Sequence, residues 1–300
     1  MATSTNWSGL TEYVEVNKDR LITEVSADAK SVRYFDVALN VKHKELFPIL
    51  TSEVVLQDGS ACGWNPQGSD NFGELELEVY ATEVEKEWCQ RDLEKSFANY
   101  QLKWAAGRET LPFEEKIHQQ NVAKTQEALE VAIWSGNTNT GMPGVLAQLD
   151  EASAVTIDAE TTSADTISEK IDKVVAKVPN HAFKAGKDGK VHIFLSYTDF
   201  RAYIASLNAS CCNNIGLKDA SAEEMVYPGD SRIILVPVEG LEGLGKIIAT
   251  PAEGFVYATD VEGSENIYDA WFDRKDAKFL FRILFMAGTG VKYPFYTVIG

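Results

Sequence analysis

Residues 111–136 constrain the fold more than any other stretch, because they predict one long helix. Pro112 lies where the first helical turn tolerates a proline, and the next glycine or proline is Gly136, a typical helix end. At ~1.5 Å per residue, a helix over this stretch is roughly 35 Å long, about the width of a small domain. We call it the spine helix and predict it over residues 112–135.

The spine helix has apolar residues on two nearly opposite sides. One side carries Phe113, Ile117, Ala128 and Val131, and the other carries Val122, Leu129 and Ile133. A helix of this kind is expected to be held between two structural layers rather than to lie on a single surface.

The charge balance limits the partners of this protein. Its 28 basic and 45 acidic residues give a formal net charge of -17, which argues against nucleic-acid binding through phosphate neutralisation. A hydrophobic fraction of 45% with 24% charged residues is typical of a folded, soluble protein. No apolar run resembles a signal peptide or a membrane span, so we expect synthesis in the cytosol and no membrane contact.

Two predicted strands enclose a long tip, which indicates a protruding β-hairpin. The first strand is predicted over Ile49–Leu56, with Pro48 just ahead of it. The run Asp58–Gly73 is dense in turn-forming residues. The return segment Glu74–Val79 alternates leucine or valine with glutamate, as a half-buried strand does.

Six residues of this hairpin form the candidate subunit interface. They are Trp64, Asn65, Pro66, Phe72, Leu75 and Leu77. Trp64 and Phe72 lie in the tip, where a monomer gains little from them. These aromatic residues either fold back on their own loop or contact a neighbouring subunit.

The segments around the hairpin and the spine helix have distinct patterns. Residues 1–44 are polar and predict an arm that has little to lie on in a single chain, and a second helix is predicted from Asp92 to about Ala106. Residues 165–260 alternate helices and strands, which favours an α/β lobe with a mixed sheet. The predicted elements of the lobe are helices over Thr166–Val178 and Tyr197–Leu207 and strands over Val191–Leu195, Ile233–Val238, Lys246–Thr250 and Gly254–Thr259.

A strand predicted over Lys278–Met286 has a strongly apolar face. That face carries Phe279, Phe281, Ile283 and Phe285. It needs a cover, for which the spine helix is the candidate. Gly288 and Gly290 are expected to turn the chain, so that Val291–Ile299 returns as the closing strand.

The run from Gly240 to Lys246 matches the spacing of a phosphate-binding loop, but Ile247 stands where Ser or Thr would hold magnesium. The following residues continue as a strand, so no helix N-terminus is available for a phosphate. A glycine-rich hairpin turn is the preferred interpretation.

Candidate catalytic residues are few. The histidines at positions 43, 118, 181 and 192 lack metal-ligand spacing, and the cysteines at 62, 89, 211 and 212 lack the spacing of a disulfide framework. Cys211 or Cys212 with a histidine such as His192 leaves a small cytosolic hydrolase open as an alternative, because such pairs meet only in space. No residue is assigned a catalytic, cofactor-binding or metal-binding role.

A series of short motifs runs along roughly residues 70–300. The motifs are Cys89, a short helix, Gly107, Leu111-Pro112-Phe113-Glu114, Ile133-Trp134-Ser135-Gly136, Tyr227-Pro228-Gly229, Val236–Gly240, Val256–Asp260 with Glu262-Gly263, and a terminal pair of strands. Their order resembles the major capsid proteins of tailed bacteriophages, which have the Hong Kong 97 fold. Within that fold, the chain is similar to a group from phages of Bacteroides-type bacteria.

The resemblance implies an α+β fold made of five parts. They are an N-terminal arm at 1–45, an extended β-hairpin loop at 46–84, a peripheral domain with the spine helix at 85–150, an α/β axial domain at 151–260, and further peripheral strands at 261–300. The short arm implies that any scaffolding protein is a separate chain.

The same resemblance implies a structural subunit of the virion, not an enzyme. It would be made in the bacterial cytoplasm and assemble into hexamers and pentamers of an icosahedral head around double-stranded DNA. Expected partners are further copies of the chain, a portal, and separate scaffolding and decoration proteins. No cofactor is expected. An encapsulin-like shell of a bacterial compartment is the alternative within the same fold.

Overall fold

The computed structural model describes residues 29–52, 55–56, 70–89, 91–92, 95–96, 113–152, 156–209, 224–260, 267–276 and 278–300. The strands are β1 (Asp36–Leu39), β2 (Lys44–Ser52), β3 (Asp70–Glu78), β4 (Tyr80–Cys89), β5 (Ile157–Asp158), β6 (Val191–Ser196), β7 (Met225–Val226), β8 (Ile233–Val238), β9 (Ile248–Pro251), β10 (Phe255–Thr259), β11 (Ile267–Asp273), β12 (Lys278–Val291) and β13 (Val298–Ile299). The helices are α1 (Phe113–Ser135), α2 (Val145–Glu151), α3 (Ile167–Lys177), α4 (Asn180–Ala185) and α5 (Tyr197–Ala209).

The spine helix α1 runs from Phe113 to Ser135, which confirms the predicted element. Gly136 follows with a φ of 81°, and a Cβ at this position would lie 2.8 Å from the backbone nitrogen of Gly144. Glycine therefore allows the helix to end where the chain folds back closely on itself.

Only one of the two apolar sides of the spine helix is buried within the chain. Val122, Leu129 and Ile133 lie in the main core. On the other side, Ile117 is half-buried against the same core, whereas Ala128 and Val131 are exposed. The expected second covering layer is therefore missing at Val131 among the described elements.

The five-stranded sheet is organised around β12. Strand β4 pairs with one edge of β12, β10 and β11 pair with the other edge, and β1 runs parallel to β10. The predicted apolar face of β12 is confirmed, since Phe279, Phe281, Ile283 and Phe285 are buried. The spine helix covers this face as expected, with the His118 ring centroid 6.0 Å from that of Phe281.

Strand β12 continues past the turn that was predicted at Gly288 and Gly290, so that prediction is wrong. Both glycines pair with β10, and a Cβ at Gly288 would lie 2.2 Å from the carbonyl oxygen of Glu78. Gly288 therefore allows a close crossing of two backbones, whereas Gly290 leaves room for the side chains of Leu75 and Leu77, and neither reverses the chain.

The six-stranded sheet has the order β5-β13-β9-β6-β8-β7. Its strands β6 and β8 are parallel and buried at every position, which indicates cover on both faces. The helices and strands predicted for the α/β lobe are all present, with their bounds shifted by no more than two residues. The strand predicted over Gly254–Thr259 does not belong to this sheet, however, because β10 pairs with β1 and β12 of the five-stranded sheet.

Two connections in this sheet differ from the predictions. The closing strand expected over Val291–Ile299 is interrupted by a 3₁₀ turn at Pro294–Tyr296. Val291 still belongs to β12, and Val298–Ile299 pairs in the six-stranded sheet, between β5 and β9. The glycine-rich run after β8 is not a hairpin turn, because β6 lies between β8 and β9. It starts with a 3₁₀ turn at Glu239–Leu241 and leads into a strand, not an α-helix.

Strands β2 and β3 form the predicted hairpin, paired from Lys44 with Glu78 out to Ser52 with Asp70. The first strand starts earlier than predicted and contains Pro48, which an edge strand tolerates because its missing N–H can face away from the partner. Residues 53–54 and 57–69 at the tip, residues 1–28 of the arm and most of the helix predicted over 92–106 lie outside the described residues.

Candidate assembly surfaces

Apolar side chains anchor the base of the hairpin on the five-stranded sheet. Leu77 and Val79 of the hairpin pack with Val41 against Val256 of β10 and Met286 of β12. Farther along the hairpin, Leu46 is 56% exposed. The hairpin thus has a fixed base and a part that the described residues leave uncovered.

The residues of the predicted interface have different positions. Trp64, Asn65, Pro66 and the side chain of Phe72 lie outside the described residues, and Leu75 is half-buried. Leu77 is 0% exposed and belongs to the core of its own chain. It is therefore not available to a second subunit, and the other five residues stay predictions.

Large apolar side chains are exposed on β1 and β11, two of the three outer strands of the five-stranded sheet. Val37 and Leu39 of β1 are 39% and 59% exposed, and Trp271 of β11 is 40% exposed. In the described part of the chain, β1, β4 and β11 each pair with one strand only, so each has an unpaired edge. Exposed apolar groups at open edges are typical of surfaces that another chain covers.

The segment before the hairpin lies on its own chain, which corrects the expectation for this part of the arm. Val32 and Phe35 are buried, and β1 extends the five-stranded sheet. Residues 29–39 are therefore part of the folded subunit rather than a free arm.

A buried carboxylate that the sequence analysis missed holds this segment in place. The backbone N–H of Ser31 donates to Glu130 Oε2 at 3.1 Å, and its hydroxyl donates to Oε1. Trp134 Nε1–H donates to Ser31 Oγ at 2.8 Å. Burial raises the pKa of Glu130, although the hydrogen bonds from Ser31 act in the opposite direction. The sequence signal that could have predicted this buried carboxylate is the position of Glu130 next to Leu129, on the apolar side of the spine helix.

An aromatic cluster joins the segment to both sheets and to the spine helix. The ring centroid of Phe35 lies 5.8 Å from that of Trp134, 5.9 Å from that of Phe194 in β6 and 5.2 Å from that of Phe255 in β10. The Tyr34 ring contacts the His192 ring edge-on at 5.2 Å. The two sheets thus share one core at this point, with residues 31–35 as the joint.

The histidine of the hydrolase alternative is a packed residue. His192 is 9% exposed, and burial lowers its pKa to about 4. Cys211 and Cys212 lie outside the described residues. Within the described ranges, no group of three or more His, Cys, Asp or Glu residues could hold a metal ion. None of the described helices has the length and apolar character needed to cross a membrane.

Comparisons with known proteins give matches in structure only. No protein-family model matches the chain, and no curated protein matches it. A structure described as the satellite phage P4 procapsid including the size determination protein matches with a TM-score of 0.62 and 11% identity, over 100% of this chain and 97% of the other. A virus-like particle from Pyrococcus furiosus matches over 99% of both chains, with a TM-score of 0.53 and 9% identity.

A third solved structure, from Mycobacterium phage Ogopogo, matches with a TM-score of 0.58 and 10% identity over 89% of both chains. At such identities the likeness concerns the fold, and it extends over nearly the whole length of the chain. The predicted fold class is confirmed: the chain has the α+β Hong Kong 97 fold.

Proposed function

We propose that this chain is the major capsid protein of a tailed bacteriophage. Its copies assemble into hexamers and pentamers of an icosahedral head that encloses double-stranded DNA, and its location is the virion. The observation that carries the proposal is the end-to-end likeness to the procapsid subunit, at a TM-score of 0.62.

The surfaces of the single chain support an assembling role. Contacts around a ring are heterologous, so one patch must fit a different patch on the next copy. Leu39 on an open strand edge and Leu46 on the hairpin are 59% and 56% exposed, and these two sites lie on different elements. A long hairpin that reaches a neighbour enlarges such a contact beyond the roughly 1,600 Å² of a standard interface.

The parts of the chain then take distinct roles. Residues 1–45 are the arm, of which residues 29–39 pack on the folded subunit. Residues 46–84 are the extended loop, 85–150 and 261–300 the peripheral domain, and 151–260 the axial domain. The axial domain, which contains most of the six-stranded sheet, meets its copies around five-fold and six-fold centres.

The proposed partners follow from this role. A portal, separate scaffolding proteins and decoration proteins complete the head, and the order of the sequence motifs favours a phage of Bacteroides-type bacteria as the source. The net charge of -17 suits a shell that encloses DNA without specific binding to it.

The test is sedimentation and negative-stain electron microscopy of the purified protein, alone and coexpressed with the other head proteins of its phage. We expect rings or closed shells in at least one of these preparations. A protein that stays monomeric in all of them, at high concentration, contradicts the proposal.

A shell of an encapsulin-like compartment is the second candidate. The observation that favours it is the match to the virus-like particle over 99% of both chains. Purified particles distinguish the two roles by their contents, which are double-stranded DNA for a phage head and a cargo protein for a compartment.

Neither shell role needs catalysis, whereas the remaining alternative is a hydrolase that uses Cys211 or Cys212. Replacing both residues by serine tests that alternative. Normal assembly without loss of any hydrolytic turnover excludes it.

A further inference from the structure

A cavity of about 580 Å³ lies between strand β4 and the N-terminal half of the spine helix. Lys86 and Trp88 line it from β4, and Lys116, Asn121 and Lys124 line it from the helix. None of the assembly surfaces described above includes this cavity. Its lining brings three lysines together in a protein whose net charge is strongly negative.

Lys86 lacks a counter-ion among the described residues. Its Nζ donates to Asn121 Oδ1 at 3.0 Å, and no carboxylate in the described part of the chain pairs with it. Burial and the nearby charge of Lys124 both lower the pKa of Lys86. A half-buried ammonium in this state gains from any negative group that enters the cavity.

Asn121 offers a further hydrogen-bond donor. Its side chain is buried, with 5% of the residue exposed, and its Nδ2 has no acceptor in the described part of the chain. Buried amide groups are rarely left without a partner in folded proteins. Asn121 therefore accepts the hydrogen bond of Lys86 with Oδ1, and its Nδ2 is left as a donor without an acceptor among the described residues.

The charges around the cavity favour a monovalent anion. Glu87 and Asp92 also line it, so three lysines and two carboxylates leave one formal positive charge. Glu87 pairs with Lys278 at 2.9 Å, Asp92 with Lys95 at 3.7 Å, and Lys124 with Glu127. Lys116 has an interaction partner of its own, so the charge that the lining leaves for a ligand is that of Lys86. One such charge matches one carboxylate better than a phosphate dianion.

We propose that this cavity is a carboxylate-binding site, in which Lys86 pairs with the carboxylate and Asn121 donates a hydrogen bond to it. Trp88 and Ile117, which also line the cavity, give the apolar chain behind the carboxylate a surface to contact. The carboxylate comes either from a free monocarboxylate or from a side chain of a second copy. The second source rests on the proposed shell role, whereas the first does not.

The first experiment is a calorimetric titration of unassembled subunits with hexanoate. We expect saturable binding that weakens at least tenfold in Lys86→Met, which keeps the length of the side chain but removes the charge. Lys184→Met, at an exposed lysine of α4, is the matched control and should bind like the wild type. Absence of binding, equal weakening in both variants, or tighter binding of phosphate than of hexanoate overturns the proposal.

Asn121→Asp is the second variant, and it separates the binding role from a structural one. The new carboxylate lies beside Lys86 and supplies the missing counter-ion from within the chain. We expect the variant to fold with undiminished stability and to lose hexanoate binding. Undiminished hexanoate binding by this variant contradicts the assignment.

Reductive methylation of lysines, read by mass spectrometry, distinguishes the two sources. If Lys86 is protected in assembled particles and hexanoate no longer binds, a side chain of a second copy fills the site. If hexanoate binds the particles and protects Lys86, the ligand is a free carboxylate. The titration uses unassembled subunits, so its result does not depend on whether shells form. The shell role and the carboxylate site can therefore be refuted independently of each other.

Discussion

The two large sheets of this subunit differ in how completely one chain covers them. In the six-stranded sheet, β6 and β8 are buried at every position. In the five-stranded sheet, β4 alternates between half-buried and exposed residues, and one outer strand carries Leu39 at 59% exposure. In the described part of the chain, the central strands of the first sheet are fully covered, whereas the second sheet and the hairpin attached to it leave large apolar side chains exposed.

Deleting Asp58–Gly73 should have the largest effect of the changes proposed here, and the effect should be on assembly. The deletion removes the tip of the hairpin and residues Asp70–Gly73 of β3 but leaves both large sheets, so we expect a folded subunit that forms no closed shells. Circular dichroism checks the fold, and negative-stain microscopy checks the particles. Complete particles from the shortened protein contradict the role of the hairpin.

Leu195→Ala should cost about 2–5 kcal/mol of the free energy of unfolding, because it leaves a cavity in the six-stranded sheet. Leu195 is 0% exposed on β6, whereas Leu39 is 59% exposed on β1. The matched change Leu39→Ala should stay within about 0.5 kcal/mol. Urea unfolding of the unassembled subunit measures both, and similar losses would show that the two sheets are equally covered.

Glu130→Gln should change how stability depends on pH. The pKa of Glu130 is raised above its ordinary value of 4.5, mainly by burial, while hydrogen bonds from Ser31 and Trp134 and the charge of Lys30 oppose the shift. Folding therefore favours the protonated form, and this contribution is complete below the ordinary pKa and is lost as the pH rises through the raised pKa. Relative to Glu130→Gln, the wild type should lose stability on going from about pH 4 towards neutrality.

Urea unfolding at several pH values measures this difference. Glu151→Gln, at an exposed position of α2, controls for the loss of a carboxylate as such. A wild type that instead gains stability relative to Glu130→Gln as the pH rises contradicts the expected sign.

Thr166→Ala should have the smallest effect, a loss of about 1 kcal/mol, since it removes a helix cap. Thr166 accepts a hydrogen bond from the backbone of Glu169, whose side chain bonds back to the Thr166 N–H, at the start of α3 beside the six-stranded sheet. Ser163→Ala, which removes an exposed hydroxyl just ahead of this cap, is the control. The loss should appear in unfolding of the subunit and leave assembly unchanged. If Thr166→Ala kept its full free energy of unfolding but did not assemble, this region would instead contribute to contacts between subunits.

The sequence by itself determined the elements whose pattern is local. The spine helix ends before Gly136, and the alternation around Phe281 defines the inward face of β12. Both follow from the period of the side chains along the chain, which is independent of the partner. The strand Ile233–Val238 was also predicted with its observed bounds, because a short continuous apolar run is typical of a buried strand.

Only the tertiary structure decided which strands pair and what the polar groups bind. The insertion of β6 between β8 and β9 and the pairing of Gly288 within β12 depend on segments far apart in the sequence. The bond between Ser31 and Glu130 joins residues 99 positions apart. Periodicity records which side of an element is apolar but not which element covers it, and that choice is made when the whole chain packs.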